Sequence, residues 1–153
     1  MSQINKIAVI GAGNMGSGIA QKLAQEGLNV VLVDMTEEFV ERGINIIRQT
    51  LQEAVERKIL DEDPVHDILS RIIGTCDFEM VADADLVIEA VFEEKQVKFD
   101  MFEKLDRICS ENTILATNTS SFYVHEFAEK TARPDRFVGL HYFYHPAKNR
   151  LLE

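Results

Sequence analysis

The stretch from Lys6 to Asp34 constrains the fold of this chain more than any other part of its sequence. It begins with an unbroken apolar run, Ile7–Ile10, which predicts a strand buried on both faces of a parallel sheet. Three glycines follow at once in G-x-G-x-x-G spacing, and then come a helical pattern and a second apolar run, Val30–Val33. A strand, a glycine turn, a helix, a strand and a final acid, in this order, are typical of a βαβ unit that binds a dinucleotide.

Each glycine of the motif has its own mechanical reason. Gly11 permits the tight turn, Gly13 lets the backbone approach a pyrophosphate, and Gly16 lets the helix pack closely on the strand. The free N–H groups and the positive dipole end of the helix then point at the phosphate charge. We therefore expect the whole turn to bind the cofactor, that is Gly11, Ala12, Gly13, Asn14, Met15 and Gly16.

The second strand ends at Asp34, where an acid accepts hydrogen bonds from an adenosine ribose. The same carboxylate repels a 2′-phosphate, so the sequence predicts NAD rather than NADP as the cofactor. A glycine-rich turn without a ligand is the alternative. The order of the surrounding elements favours the cofactor.

The composition narrows the class of protein. The chain has 153 residues, enough for one domain, and a formal net charge of −10, which argues against a nucleic-acid partner. No apolar run is long enough to cross a bilayer, and polar Ser2 and Gln3 lead directly into the first strand, so we expect neither a membrane partner nor a signal peptide. Cys76 and Cys109 are isolated and show no metal-ligand spacing. These features predict a cytoplasmic protein without a bound metal.

After Asp34 the sequence predicts a helical hairpin. Thr36 is suited to cap a long amphipathic helix that runs to about Lys58, and Asp63 and Pro64 predict the cap and first position of a shorter helix. A minimal doubly wound unit needs one crossover helix here. The extra length leaves two interpretations open: an arm that meets a partner or substrate, or an insertion that only covers the sheet.

The remaining chain alternates predicted strands with helical patterns. The strands are predicted at Ile72–Thr75, Leu86–Val91, Thr113–Thr117 and Phe137–Phe143. The expected fold class is therefore α/β, a Rossmann-type doubly wound domain over residues 1–153 with a mainly parallel sheet and the hairpin inserted after the second strand. Glu89 interrupts an apolar strand, and such a carboxylate is costly unless it is paired or lies at the rim.

Polar side chains follow several of these strands, where ligands bind in open parallel sheets. His141 is expected at the rim, and a histidine can take a proton from an alcohol as hydride leaves the same carbon. Ser120 could place a hydroxyl beside the His141 imidazole. The Glu153 carboxylate could bind the same ring, fix its tautomer and stabilise the imidazolium. Two alternatives are a structural strand-end histidine and a metal site that also uses His145, although the spacing matches no strong zinc pattern.

Five segments, spread over essentially the whole chain, carry a family resemblance. The chain resembles the N-terminal NAD-binding domain of the L-3-hydroxyacyl-CoA dehydrogenases of fatty-acid β-oxidation and butyryl-CoA metabolism. The matching segments are Ile10–Gly16, Val33–Asp34, Val87–Glu93, Thr117–Ser121 and Gly139–Phe143.

The resemblance implies NAD-dependent interconversion of a 3-hydroxyacyl-CoA and a 3-ketoacyl-CoA. It implies that His141 is the general base, that Glu153 is its partner, and that Ser120 meets the substrate oxygen. The cofactor contacts that it implies are Asp34, Glu93, Lys98, Asn118 and Ser120. It also implies that Thr50 and Arg57, on the hairpin, lie near the CoA substrate.

Two departures from the family pattern affect these expectations. The family follows its catalytic strand with Asn-Pro, whereas this chain has Tyr144-His145-Pro146. The family also has a C-terminal all-helical domain, which completes the acyl site and forms most of a homodimer, and this sequence shows none. We expect the chain to bind NAD but to turn over acyl-CoA poorly alone. A related 3-hydroxy-acid or sugar-acid dehydrogenase and a non-catalytic NAD-binding module remain alternatives.

Overall fold

Strands and helices alternate along the chain in the computed structural model, which describes residues 4–153; Ser2 and Gln3 lie outside the described residues. The strands are β1 (Lys6–Ile10), β2 (Asn29–Val33), β3 (Ile72–Thr75), β4 (Leu86–Glu89), β5 (Ile114–Thr117) and β6 (Phe137–Gly139). The α-helices are α1 (Asn14–Gln25), α2 (Glu37–Glu56), α3 (Asp63–Ser70), α4 (Lys95–Ile108) and α5 (Val124–Ala128).

The strands form one parallel sheet in the order β3-β2-β1-β4-β5-β6. After β3 the chain crosses to the other side of β1, so the strand order reverses between β1 and β4. Loops leave these two strands in opposite directions and open a crevice at their carboxyl ends, where ligands bind in such sheets. The predicted Rossmann-type, doubly wound fold is confirmed.

Each face of the sheet has its own hydrophobic core, because successive strand residues point to opposite faces. Ile7 and Val9 of β1 pack with α1, α2 and α3, whereas Ala8 and Ile10 pack with α4 and α5. This burial on both faces explains the unbroken apolar runs. Among residues 4–153, no helix is long and apolar enough to cross a membrane.

Two strands end earlier than the sequence predicts. β4 ends at Glu89 rather than Val91, because the Val91 N–H donates to the Glu89 carboxylate at 2.8 Å instead of to a neighbouring strand. β6 ends at Gly139 rather than Phe143, since its neighbour β5 ends at Thr117. Beyond that point the Tyr142 N–H donates to a side chain, Oδ1 of Asn118, at 2.8 Å.

The hairpin helices differ from the prediction at their ends. The Thr36 hydroxyl accepts a hydrogen bond from the Phe39 N–H and caps α2 as expected, although the helix ends at Glu56. α3 begins at Asp63 itself and has no side-chain cap. The fully buried residues of α2 cover the sheet as far as Leu51, and in the last turn Ala54 and Val55 are half-buried while Glu53 and Glu56 are exposed. The first part of α2 therefore covers the sheet, and its last turn is only partly covered.

Candidate active site

The glycine turn between β1 and α1 has one side filled and one side open. Gly11 has φ of +105°, and a Cβ there would lie 2.6 Å from the Ala90 carbonyl oxygen. A Cβ on Gly16 would lie 1.7 Å from the Gly11 carbonyl oxygen, whereas one on Gly13 would meet nothing within 4 Å. Gly11 and Gly16 are thus required to build the turn. Gly13 leaves open space on its outer side.

The first turn of α1 offers unsatisfied N–H groups beside this open space. Gly13 is the N-cap of the 12-residue helix, no side chain caps it, and its first turn carries no acid. Asn14 is exposed and Met15 is half-buried. The positive end of the helix dipole and the free N–H groups suit a phosphate, so this turn fits the pyrophosphate of a dinucleotide.

Asp34 holds the glycine turn from the end of β2. Its Oδ2 accepts a hydrogen bond from the Ala12 N–H at 2.6 Å, and its Oδ1 accepts one from the Met35 N–H at 2.6 Å. The Gly11 N–H donates to the Val33 carbonyl oxygen at 2.7 Å. The acid predicted to bind ribose therefore also fixes the turn that faces the pyrophosphate.

A buried polar network lies under the other side of the crevice. The Glu89 side chain is 0% exposed, and the Lys98 Nζ donates to its Oε1 at 2.6 Å. The Thr117 hydroxyl donates to Glu89 Oε2 at 2.7 Å. Lys98 Nζ also lies 3.1 Å from Oε2 of Glu93, which is half-exposed. Lys98, predicted as a cofactor contact, thus has its ammonium between two carboxylates.

Glu93 connects this network to the loop after β5. Its Oε1 accepts a hydrogen bond from the Thr119 hydroxyl, and the Thr119 oxygen in turn accepts one from the Phe122 N–H. Partial burial raises the pKa of Glu93, but hydrogen bonds from Thr119 and Lys98 and the charge of Lys98 outweigh this, so the pKa lies below its ordinary value. Glu93 is therefore ionised near neutral pH.

His141 and Glu153 meet just beyond β6. His141 Nδ1 lies 3.1 Å from Glu153 Oε1, and their backbones are joined by hydrogen bonds in both directions. The imidazole is about three-quarters buried, with 24% of the side chain exposed, and its ring centroid lies 4.6 Å from that of Phe143. A carboxylate at this nitrogen leaves Nε2 as the nitrogen that can exchange a proton with a substrate.

Two further predicted residues lie on the loop between β5 and α5. Asn118 is anchored, since its N–H donates to the Glu89 carbonyl oxygen at 3.0 Å and its Oδ1 accepts from Tyr142. Ser120 is exposed and its Oγ lies 3.3 Å from that of Ser121. Among the described residues, no hydrogen bond joins Ser120 to His141. The structure brings them to the same edge of the sheet without pairing them.

Thr50 and Arg57 lie apart from these residues, on α2. Both line a cavity of about 390 Å³ between α1, α2 and the segment that carries Ala147 and Lys148. The Thr50 hydroxyl donates to the Ile46 carbonyl oxygen at 2.9 Å, and Arg57 lies 4.0 Å from Glu53. The charged side chains that line the cavity are the cations Arg57 and Lys148 and the carboxylate of Glu53.

The segment Tyr144-His145-Pro146 packs against the glycine-rich face of α1. A Cβ on Gly18 would lie 3.0 Å from the Pro146 ring. Tyr144 is exposed, and His145 Nδ1 is buried without a hydrogen-bond partner among the described residues. Burial and the charge of Lys148 lower the pKa of His145, partly opposed by Glu53. This histidine is therefore neutral at physiological pH.

A family model described as 3-hydroxyacyl-CoA dehydrogenase, NAD binding domain, matches residues 6–153. The chain belongs to the 3-hydroxyacyl-CoA dehydrogenase family. The match confirms the predicted family and the predicted cofactor, NAD. It also agrees with the open space beside Gly13 and the start of α1, which no side chain caps.

Relatives within this family are similar over most of the chain. The chain is 43% identical over 137 residues to the probable 3-hydroxybutyryl-CoA dehydrogenase of Deinococcus radiodurans, covering 90% of this chain and 49% of that protein. It is 39% identical over 146 residues to the mitochondrial hydroxyacyl-coenzyme A dehydrogenase of Sus scrofa, covering 92% and 46%. The crystal structure of (S)-3-hydroxybutyryl-CoA dehydrogenase PaaH1 from Ralstonia eutropha superposes with a TM-score of 0.96 at 36% identity, covering 98% of this chain and 53% of that one.

The chain thus spans about half the length of these relatives. The Sus scrofa relative is a mitochondrial protein, so the cytoplasmic location expected from the sequence stays a prediction.

The roles of Thr117 and Thr119 in the buried polar network, and the pairing of Lys98 with Glu89, were not predicted from the sequence. One signal was available. Lys98 shares the buried face of α4 with Phe102 and Leu105, and a lysine on an apolar helix face needs a buried anion. Glu89, a lone carboxylate in an apolar strand, was the anion that such a lysine needs.

Proposed function

We propose that this chain is the cofactor-binding and proton-transfer half of an enzyme that interconverts L-3-hydroxyacyl-CoA and 3-ketoacyl-CoA with NAD. The observation that carries the proposal is the His141–Glu153 pair, with 3.1 Å between Nδ1 and Oε1, at the same sheet edge as the glycine turn. A base held at the edge where a dinucleotide binds is what oxidation of an alcohol requires.

In the oxidation direction, NAD supplies the hydride acceptor when it is bound. His141 takes the hydroxyl proton on Nε2, and Glu153 stabilises the resulting imidazolium through Nδ1. Ser120, with an exposed hydroxyl on the loop after β5, donates a hydrogen bond to the substrate oxygen. In the reverse direction the same imidazolium returns its proton to the oxygen.

The cofactor half of this proposal uses charge as well as shape. The turn from Gly11 to Gly16 receives the pyrophosphate, and Asp34 accepts hydrogen bonds from the adenosine ribose. Glu37 and Glu38 begin α2 close behind Asp34 and add negative charge. These acids select NAD over NADP because a 2′-phosphate would be repelled. Asn118, Glu93 and Lys98 form the wall on the opposite side of the crevice.

The substrate half is only partly built by this chain. The cavity beside Thr50 and Arg57 holds the CoA part of the substrate, with Arg57 and Lys148 as cations for its phosphates. A C-terminal all-helical domain completes the acyl site and, in the full-length protein, forms a homodimer. Residues 1–153 form the cofactor domain of this cytoplasmic enzyme.

Calorimetric titration of the chain with NAD and with NADP tests the cofactor half. We expect NAD to bind at least about tenfold more tightly, a difference of about 1.4 kcal/mol. Equal affinity, or a preference for NADP, would contradict the role of Asp34.

Turnover tests the catalytic half, in a protein in which this chain is followed by the helical domain. With acetoacetyl-CoA as substrate, His141→Gln should lower kcat by about 10²–10⁴-fold, the usual contribution of a general base. Surface His125→Gln is the matched control and should leave kcat unchanged. Turnover of free hydroxy acids alone would favour a different dehydrogenase.

A further inference from the structure

Glu89 is the most deeply buried ionisable group near the crevice. Because its carboxylate is not exposed, contact with NAD or the substrate does not account for a charge at this position. Its side chain is 0% exposed, and that of Lys98 is 1% exposed. A buried ion pair is weak evidence for stability, because desolvation offsets most of the attraction and apolar replacements are often as stable. The pair therefore calls for an explanation other than stability.

The two oxygens of Glu89 hold three separate elements together. Oε1 accepts hydrogen bonds from the Val91 N–H at 2.8 Å and from Lys98 at 2.6 Å, and Oε2 accepts one from the Thr117 hydroxyl at 2.7 Å. The carboxylate thus joins the exit of β4, the helix α4 and the end of β5. These are the elements that form the wall of the crevice beyond the strand reversal.

Lys98 continues the chain of contacts toward the surface. Its Nζ lies 3.1 Å from Oε2 of Glu93, and Glu93 Oε1 accepts from the Thr119 hydroxyl. Thr119 Oγ1 then accepts from the N–H groups of Ser121 and Phe122 at 3.3 Å and 3.2 Å. These backbone groups follow Ser120 directly, so the conformation of that loop depends on Thr119.

We propose that the Glu89–Lys98 pair is a positioning device: it holds Glu93 against Thr119 and so fixes the loop of residues 118–121 in the form that meets cofactor and substrate. The proposal rests on the proposed function for what that loop contacts. The hydrogen bonds that fix the loop are made between residues of this chain.

Glu89→Gln is the main test. Glutamine keeps the size and a carbonyl oxygen for Val91, but it removes the charge that holds the Lys98 ammonium. In the ligand-free chain, we expect amide hydrogen exchange at Ser121 and Phe122 to become about tenfold faster, as local opening becomes easier. The Kd for NADH should rise about tenfold, the effect of losing one charge-assisted hydrogen bond. Unchanged exchange at both amides would overturn the proposal.

The double variant Glu89→Gln/Lys98→Met separates positioning from stability. It removes both charges, so no buried ion is left without a partner, and we expect a melting temperature within about 4 °C of the unsubstituted chain. Glu93 nevertheless loses its anchor, so exchange at Ser121 and Phe122 should stay fast. Recovery of slow exchange in the double variant would show that the pair acts only structurally.

Asp106→Asn is a matched control at the other end of α4. Asp106 Oδ1 lies 2.7 Å from Arg133 Nε in a second, largely buried ion pair far along the helix from Lys98. The control should lower the melting temperature and leave exchange at Ser121 and Phe122, and the Kd for NADH, unchanged. If it speeds exchange as much as Glu89→Gln does, general loosening explains the result and the proposal fails.

The outcomes also separate this inference from the proposed function. If the unsubstituted chain bound no NADH, the proposed function would fail, while the exchange of the ligand-free chain would still decide whether the pair positions the loop. If NADH bound equally well in all variants although exchange changed, the loop would be positioned by the pair but would not meet the cofactor, and that part of the inference would be wrong.

Discussion

Backbone geometry shapes one side of the crevice, and side-chain contacts shape the other. The glycine half, residues 6–34, is shaped by backbone: a turn with φ of +105° at Gly11, close approach at Gly16, and one acid at its end. The carboxylate half, residues 86–98 together with 117–153, is shaped by side chains that meet from distant parts of the chain. Glu89 bonds to Lys98, nine residues on, and to Thr117, 28 residues on.

This difference determines how each half of the crevice responds to substitution. In the glycine half, sterics between backbone atoms set the shape, so a methyl group added at Gly11 or Gly16 has nowhere to go. In the carboxylate half, each buried charge depends on a few specific partners, so the removal of one partner leaves a buried charge with less compensation. Substitutions in the two halves should therefore fail for different physical reasons.

The largest expected effect is in the glycine half. In Gly16→Ala the new Cβ would lie 1.7 Å from the Gly11 carbonyl oxygen, a backbone atom that cannot turn aside. We expect the free energy of unfolding to fall by more than about 3 kcal/mol, the upper range for overpacking. Urea unfolding measures it, and stability equal to that of the unsubstituted chain would refute the geometry of the turn.

Gly13→Ala is the control for that substitution. A Cβ there meets nothing within 4 Å, so stability should change by less than about 1 kcal/mol. The methyl group would stand where a pyrophosphate approaches, and we expect NAD affinity to fall at least about tenfold. Unchanged affinity would place the pyrophosphate elsewhere.

In the carboxylate half, Thr117→Val tests the dependence on side-chain partners. Valine has the same shape but removes the hydroxyl that donates to Glu89 at 2.7 Å. We expect a loss of about 1–3 kcal/mol in the free energy of unfolding, measured by urea titration, because a buried charged acceptor loses a donor. In Thr50→Val the hydroxyl that is lost donates to the Ile46 carbonyl oxygen within α2, so the change should be less than about 0.5 kcal/mol. Equal losses in the two variants would mean that burial of the charge is unimportant.

Asp34→Asn tests the acid at the end of the glycine half. The amide keeps a single acceptor oxygen for the N–H groups of Ala12 and Met35, so we expect a loss of about 1 kcal/mol in unfolding free energy. The ratio of NAD affinity to NADP affinity should fall about tenfold in calorimetric titration. Asp85→Asn is matched to it, since Asp85 Oδ2 also accepts two backbone N–H groups, at 2.8 Å and 3.0 Å, but at the opposite end of β1. Asp85→Asn should leave the ratio of NAD affinity to NADP affinity unchanged. If the ratio fell in both variants, charge at a distance, rather than contact with the cofactor, would set the preference.

The smallest expected effect is the pH dependence that Glu93 contributes. Its pKa is lower in the folded chain than in the unfolded chain, so the stabilisation is present above the unfolded pKa, about 4.3, and is lost as pH falls through the folded pKa. Glu93 is 40% exposed, so solvent screening keeps the effect below about 1 kcal/mol. The melting temperature of the unsubstituted chain should fall more steeply below about pH 4.3 than that of Glu93→Gln. Parallel pH curves for the two proteins would contradict the ion pair with Lys98.

The sequence predicted the structure of the glycine half more accurately than that of the carboxylate half. The turn, the strands on either side of it and Asp34 are contiguous in the sequence, and short-range sterics determine them. Strands β4 and β6 were both predicted to run further than they do. β4 ends where the Glu89 carboxylate accepts a hydrogen bond from the Val91 N–H, two residues on, and β6 is followed by a bond from the Tyr142 N–H to the Asn118 side chain, which comes from a distant part of the chain. Local propensity carries no information about such bonds.

The sequence by itself determined the parallel sheet, the cofactor turn and the residue types that chemistry needs at the strand ends, because periodicity and glycine spacing act over a few residues. Only the tertiary structure decided which charged residues form buried ion pairs. It placed the Lys98 ammonium between two carboxylates, since these contacts depend on how α4 packs on the sheet. The pair of His141 and Glu153 was already expected from the family resemblance, and the structure sets the distance between their side chains at 3.1 Å. Electrostatic partners are chosen by distance in space, and the sequence states only distance along the chain.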